Sequence, residues 1–219
     1  MTARARRPRV VVPAWVAVLV GAASVAIGLY AGPTMPWADG SPATDSAEAG
    51  FARDMVVHHD QAVAMSLIAM RRGSDPAVRS LATDVVLTQR GQSGAMLGWL
   101  DQWGLSFSDS SQRRMAWMGP DHLLPDGRMP GMATTAEVQG LEALTGTAFD
   151  RAYLSMLYTH HAGGIPMAAE VLERTDEPVV VAMATSIRAS QTAELEVLTD
   201  LLAKAGGTTP AVAPHGDGH

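Results

Sequence analysis

The sequence predicts an all-α domain, a four-helix bundle built from two duplicated helical hairpins. The first observation is an internal repeat, in which His58-His59 and Met65 recur 102 residues later as His160-His161 and Met167. The same offset, without a gap, aligns four further pairs: Phe51 with Tyr153, Pro76 with Pro178, Gln89 with Gln191, and Gly104 with Gly206. Because no segment shows sustained strand alternation, each copy reads as a helical hairpin.

The first hairpin has clear helix boundaries. A first helix is predicted from Ala47 to Arg72, ending at Gly73. Asp75-Pro76 combines a capping residue with a first-turn proline and opens a second helix that runs to Trp103. Gly104 then ends that helix.

A connecting segment separates the two hairpins. Residues 105–133 are rich in turn-forming residues and are predicted to be irregular. Thr134 and Glu137 have the spacing of a capping box, which predicts a short helix ending near Gly146.

The second hairpin repeats the first with one departure. Its helices are predicted over residues 147–174 and from Glu177-Pro178 to about Lys204. Pro166, with Gly163 and Gly164, falls inside the third long helix, where proline removes a backbone hydrogen bond. We therefore expect a kink, a π-type bulge or a break just after the second His pair.

The N-terminal region predicts a membrane anchor. Residues 1–9 form a basic tail, and residues 10–31 are an uncharged apolar run long enough to cross a bilayer. The charge bias predicts one N-terminal transmembrane helix, with a cytoplasmic N-terminus and the remainder extracytoplasmic. A cleaved signal peptide, giving a secreted protein, is the alternative.

The rest of the chain divides into three parts. Residues 32–46 are predicted to be a flexible linker, residues 47–206 the bundle domain, and residues 207–219 a disordered tail that contains His215 and His219. Beyond residue 9 the chain holds 12 basic and 22 acidic residues, since four of its 16 Lys and Arg lie in the tail. This acidic balance argues against nucleic acid as a partner.

The repeated side chains suggest a metal site. At helical periodicity His58 and Met65 share one face, as do His160 and Met167, and a two-fold bundle turns both faces inward. These four rank first as ligands. Secondary candidates are His59 and His161 at the edge of the face and, on the third long helix, Met156. Asp54, one turn before His58, is expected to hold the other nitrogen of its ring.

The nature of these ligands selects the metal. The chain has no cysteine, and thioether with imidazole favours Cu(I) over hard cations. Zinc held by histidines alone, and buried histidines with no metal, remain alternatives. The Glu-x-x-His signature of di-iron bundles is absent from the sequence.

The connecting segment adds five soft side chains: Met115, Met118, His122, Met129 and Met132. Met132 is the best candidate among them to cap the site. Gln89 and Gln191 are expected to be structural amides within the bundle. No nucleophilic triad, phosphate-binding loop or pair of catalytic carboxylates stands out, so the sequence does not favour an enzyme.

The motifs resemble a known bacterial family. The spacing Phe51-x-x-x-Met55-x-x-His58-His59-x-x-Ala62-x-x-Met65, the segment Met129-Pro130-Gly131-Met132, and Phe149-Asp150 leading to His160-His161 and Met167 are similar to the family called domain of unknown function 305. The resemblance covers about residues 48–206. It implies a ferritin-like four-helix bundle, usually secreted or membrane-anchored, with some members associated with copper.

Carried over by position, the resemblance implies one set of motif residues: Met55, His58, His59, Met65, Met132, His160, His161 and Met167. Two departures concern the second copy. Leu157 stands where the family usually has Met, although Met156 is adjacent, and Pro166 replaces a residue that favours helix.

Three functions follow as hypotheses. The first is extracytoplasmic binding of copper, as Cu(I), for storage, buffering or delivery, with a copper-trafficking protein or membrane complex as a partner. The second is a structural accessory subunit of a membrane complex, whose His pairs are core residues. The third is a copper-dependent oxidoreductase, which requires an open coordination position and turnover with a reductant or oxidant, and the sequence gives evidence for neither.

Overall fold

A computed structural model describes residues 41–119 and 122–211, and these residues form a helical bundle without strands. Its helices are α1 (Ala47–Arg72), α2 (Pro76–Gln102), α3 (Thr135–Gly140), α4 (Gly146–Leu172) and α5 (Pro178–Lys204). Short 3-10 turns occur at Ala116–Met118 and Leu141–Ala143. The all-α fold is confirmed.

Local chemistry explains where the helices begin. Ser46 caps α1 by accepting a hydrogen bond from the Ala49 amide, and Asp75 caps α2 by accepting one from the Ala77 amide. Thr134 and Glu137 form the predicted capping box at the start of α3. These contacts satisfy amides that would otherwise lack a partner in the first helical turn.

The expected π-type bulge or break after the second His pair is wrong. Residues Gly146–Leu172 form one α-helix with Pro166 inside it. Proline removes a single hydrogen bond, whereas the packing of a long buried face stabilises the whole helix. The expected kink remains a prediction.

The two hairpins meet mainly through α1 and α4, which run in opposite directions. The first half of α1 packs with the second half of α4 in one apolar cluster, and the second half of α1 packs with the first half of α4 in another. This arrangement gives the bundle two apolar ends, related by the repeat, with the histidines between them.

The two ends differ in composition. The methionine-rich end contains seven buried methionines: Met55, Met96, Met115, Met118, Met129, Met167 and Met183. The tyrosine end contains Phe149, Tyr153 and several leucines, with Met65 as its one fully buried methionine among the described residues.

The connecting segment between the hairpins packs on glycines of the long helices. A Cβ atom at Gly50 of α1 would lie 2.5 Å from Trp117, and one at Gly163 of α4 would lie 2.3 Å from the Pro130 carbonyl oxygen. Both approaches require a residue without a side chain. Gln61 holds the segment further, since its amide both donates to and accepts from the Ala133 backbone.

No helix within the described residues is long and apolar enough to cross a membrane. The predicted anchor at residues 10–31 lies outside the described residues. So do the basic tail before it and the tail histidines His215 and His219.

Candidate metal centre

Four fully buried histidines form a layer between the two ends of the bundle: His58, His59, His160 and His161. The rings of His58 and His160 face each other, with centroids 3.9 Å apart and planes inclined by 40°. The ring of His161 lies 6.2 Å from that of His160. The antiparallel crossing of α1 and α4 thus brings the repeated imidazoles together at the bundle centre.

Backbone carbonyls hold the two central rings. His58 Nε2 lies 3.1 Å from the carbonyl oxygen of Pro130, and His160 Nε2 lies 2.9 Å from the carbonyl oxygen of His58. A carbonyl oxygen can only accept a hydrogen bond, so each Nε2 carries the proton. In a neutral ring the lone pair then lies on Nδ1.

Side chains of the partner helices hold the two outer rings. His59 Nε2 lies 2.9 Å from Gln92 Oε1, and His161 Nε2 lies 2.5 Å from Glu194 Oε2. Both partners are acceptors, so these rings also donate from Nε2. The two contacts occupy equivalent positions of the repeat.

All four Nδ1 atoms are buried and have no hydrogen-bond partner. Burial favours the neutral ring. It lowers the pKa of His58 to about 4 and that of His59 to about 3, and it lowers the pKa of His160 well below its usual value. Buried polar atoms are seldom left unpaired, so four unused lone pairs in one layer require an explanation.

The Gly164 backbone packs closely against the His58 ring, beside one of these lone pairs. A Cβ atom at Gly164 would lie 2.7 Å from Gln191 Oε1, 3.0 Å from His58 Cε1 and 3.4 Å from His58 Nδ1. Neither polar atom of the Gln191 amide has a partner. At the equivalent position of the first copy Ala62 carries a Cβ, so this close approach belongs to one copy of the repeat.

The predicted methionine ligands lie at several levels of the bundle. Met167 and Met55 lie in the methionine-rich end, whereas Met65 lies in the tyrosine end. Met65 and Met167 each follow a layer histidine by seven residues, a rise of about 10 Å along the helix. The structure therefore does not bring Met65 and Met167 to one point.

Met132 and Met156 are partly buried and line an open groove of about 750 Å³ beside α4, together with His122. Pro130 and Gly131 form part of the groove wall, and the Pro130 carbonyl contacts His58 on the inner side. Three of the predicted soft side chains thus lie on the outer side of the segment that covers the histidine layer.

The expected contact between Asp54 and His58 is wrong. The Asp54 carboxylate accepts hydrogen bonds from the Met115 amide and Trp117 Nε1, at 2.8 and 3.0 Å. It anchors the connecting segment, whereas Pro130 holds His58. The distant partners of the four histidines escaped sequence analysis, although Gln92 and Glu194 share the repeat offset of 102 residues.

Within residues 41–119 and 122–211, no three or more His, Cys, Asp or Glu groups are arranged to hold one metal ion. The donor set fits a soft ion with few ligands, because imidazole lone pairs and thioethers suit Cu(I) and Ag(I).

Comparisons with known proteins identify relatives of the same architecture. The family model described as "Domain of unknown function (DUF305)" matches residues 48–202. The "putative secreted protein DUF305" from Streptomyces coelicolor is 43% identical, with 77% of this chain and 99% of that chain covered and a TM-score of 0.71. A DUF305 fragment from Deinococcus radiodurans is 30% identical, covering 72% of this chain and 96% of that one, with a TM-score of 0.59.

The protein CopM, solved in its Cu(I)-bound form, is 20% identical and has a TM-score of 0.56, with 74% of this chain and 99% of that chain covered. At this identity the likeness concerns the fold. A search of curated protein sequences returned no significant match.

Proposed function

The chain belongs to the DUF305 family, and we propose that it binds copper, as Cu(I), outside the cytoplasm for storage, buffering or delivery. The single observation that carries this proposal is the set of four buried, unpartnered Nδ1 atoms in the histidine layer. A hydrogen bond from the opposite ring nitrogen fixes the tautomer of each ring, as in the histidine ligands of metal sites. The layer therefore has the chemistry of a metal-binding centre.

The protonation state supports ligation. A metal must compete with protons for an imidazole lone pair, and burial keeps His58, His59 and His160 neutral far below neutral pH. Their Nδ1 lone pairs are thus available to an ion throughout the physiological range.

The soft side chains support a monovalent copper ion. Met55 lies one helical turn before His58, and Met132 lies next to the segment that contacts the same ring. We propose His58 and His160 as the two central ligands of one Cu(I) ion. His59, His161, Met55 and Met132 are the neighbouring groups from which a further ligand would come. Met65, Met167 and Met156 are proposed as further thioether sites for additional ions.

The relatives support both the ion and the location. CopM structures in Cu(I)-bound, Cu(II)-bound and Ag-bound forms share the fold of this chain. The Streptomyces relative carries the word secreted in its name, and residues 10–31 have the composition of an anchor or signal. We propose an extracytoplasmic domain joined to the membrane by that segment.

The direct test is titration of the purified metal-free protein with Cu(I), under reducing conditions, against a chromophoric Cu(I) chelator. The wild type should compete for at least one equivalent, and His58→Ala combined with His160→Ala should lose most of that affinity. His122→Ala, which removes an imidazole from the outer groove, is the matched control and should bind like the wild type at the central site.

Circular dichroism must show that the double variant remains helical. If it does not fold, His58→Gln with His160→Gln replaces it, since glutamine fills the space without an imidazole nitrogen. A wild type that fails to compete for Cu(I) would instead support the accessory-subunit hypothesis, in which the histidines serve only as core residues.

A further inference from the structure

The two outer histidines of the layer have chemically different partners. His59 of α1 donates to the side-chain amide oxygen of Gln92 on α2, whereas His161 of α4 donates to the carboxylate of Glu194 on α5. Since residues 92 and 194 are 102 apart, the two contacts are copies of one contact. One copy has a neutral acceptor and the other an anionic acceptor.

Packing does not explain this difference. Gln and Glu have nearly the same shape, and each supplies one oxygen to the neighbouring Nε2. The Gln92 side chain also leaves its buried amide nitrogen without a partner, a cost that a carboxylate avoids. The feature that separates the two copies is therefore the negative charge.

The charge is also reinforced on one side only. Asp84 of α2 lies near Glu194, and burial together with that carboxylate raises the pKa of Asp84 above its usual value. The residue equivalent to Asp84 in the other copy is Ser186. The Glu194 carboxylate accepts from His161 Nε2, and the Glu194 side chain is 21% exposed. The surroundings of Glu194, on α5 and the facing part of α2, are thus anionic.

We infer that Glu194 makes the His161 side of the layer the first and tighter binding position for a monovalent soft cation. This inference rests on the proposed function and deepens it. A carboxylate that accepts the Nε2 proton of a ligand histidine increases the basicity of Nδ1 and fixes the orientation of the ring. Its charge also balances the charge of a bound Cu(I) or Ag(I) ion in a buried site. Glu194 acts through His161 and is a positioning residue.

Two isosteric exchanges test the inference: Glu194→Gln removes the charge and Gln92→Glu installs it at the equivalent position. Titration with Ag(I) or Cu(I) against a chelator should show about tenfold weaker binding for Glu194→Gln, the lower end of the range known for such partners. The double exchange should recover most of the affinity, because it restores one anionic partner in the layer. Melting of the metal-free variants checks that the fold is unchanged.

Nitrogen-15 spectra of the histidine rings show which ring binds Ag(I) first, and this order would not depend on Glu194 if Glu194 had only a structural role. At half an equivalent of Ag(I), the Nδ1 resonance of His161 should shift before that of His59 in the wild type. The double exchange should reverse this order.

The outcomes separate the two proposals. If Glu194→Gln binds Ag(I) as tightly as the wild type, or if His59 responds first, the inference about Glu194 is wrong while the proposed function stands. If the wild type binds neither Ag(I) nor Cu(I), both fail.

Discussion

The two ends of the bundle derive from the same repeat but differ in the atoms they bury. The methionine-rich end places Met55 and Met96 where the tyrosine end, by the repeat offset, has Leu157 and Leu198. Leucine and methionine exchange in cores at little cost, so packing alone does not require this difference. The difference shows that the two copies diverged in chemistry while retaining one fold.

The connecting segment contributes to the same asymmetry. It brings Met115, Met118 and Met129 to the methionine-rich end, and Pro130 replaces what would be a symmetric contact at the central histidines. In a strictly two-fold layer His58 would donate to the His160 carbonyl, as His160 donates to that of His58. A single insertion between the copies thus distinguishes the two faces of the layer.

The largest expected effect concerns the histidine layer that the two ends share. In the metal-free protein the free energy of unfolding should fall as the pH falls from about 6.5 towards 4. The unfolded chain then binds protons that the buried rings cannot accept. The shift of His58 alone corresponds to about 3 kcal/mol. Urea unfolding at pH 7.5, 5.5 and 4.5 measures the effect.

Asp54 contributes to the pH dependence of stability with the opposite sign. Burial raises its pKa, so as the pH falls the folded protein binds a proton at Asp54 more readily than the unfolded chain does. The three histidines with lowered pKa values should outweigh it. The double variant His58→Gln with His160→Gln should lose much of this pH dependence. A constant stability between pH 7.5 and 4.5 would contradict the neutral, buried layer.

The second effect tests how the connecting segment reaches the methionine-rich end. Gly163→Ala inserts a Cβ atom into the Pro130 backbone and should destabilise the protein by about 2–3 kcal/mol. Thermal melting measures the loss. Gly94→Ala and Gly98→Ala on α2, where an added Cβ meets no neighbour, should instead stabilise the protein by up to about 1 kcal/mol. Equal effects at all three positions would argue against a specific approach at Gly163.

The third effect concerns a hydrogen bond that the tyrosine end has and the methionine-rich end lacks. Tyr153 and Ser66 share a buried hydrogen bond of 2.9 Å at the tyrosine end, where the equivalent pair at the other end is Phe51 and Ala168. Ser66→Ala should lower the free energy of unfolding by about 2 kcal/mol, because it leaves the buried Tyr153 hydroxyl without this hydrogen-bond partner. Adding Tyr153→Phe should recover most of this loss. A double-mutant cycle from urea unfolding gives the coupling, and additive losses would contradict it.

The smallest effect on stability per substitution is expected when methionines of the methionine-rich end are replaced by leucine, which makes the two ends alike. Replacing Met55, Met96, Met167 and Met183 by leucine should cost less than about 1.5 kcal/mol at each position. The number of Ag(I) ions bound, counted by native mass spectrometry, should decrease. Met70→Leu, on the outer surface of α1, is the matched control and should leave the count unchanged. An unchanged count in the fourfold variant would make these methionines simple core residues.

Much of the fold was predictable because its signals are local. Ser46, Asp75-Pro76 and the Thr134–Glu137 pair each cap a helix through contacts within three residues, and the observed helices begin where these residues indicate. The meeting of His58 with His160 was also predictable, because equivalent residues of two antiparallel helices face each other where the two-fold axis passes. Away from that axis equivalent residues separate, so Met65 and Met167 lie in opposite ends.

The partners of the rings were harder to predict because they depend on tertiary contacts. Pro130 reaches His58 across 72 residues, and Gly163 is small because that loop passes over it. From the sequence pattern alone, Gly163 and Pro166 predicted an irregularity or break in the helix. Asp54, one turn from His58, instead binds the connecting segment. Short spacing along a helix indicates a shared face but not which polar group a side chain chooses.

The hydrogen bond from His58 to Pro130 links the covering segment to the kinetics of metal exchange. The His58 ring cannot turn towards the outer groove until that bond opens, and Gln61 secures the same segment at Ala133. Loading and unloading of a bound ion would then proceed at the rate at which residues 129–133 lift from α4. A protein that receives the ion would then accelerate the transfer by binding residues 129–133 in their lifted position, rather than by binding the metal more tightly.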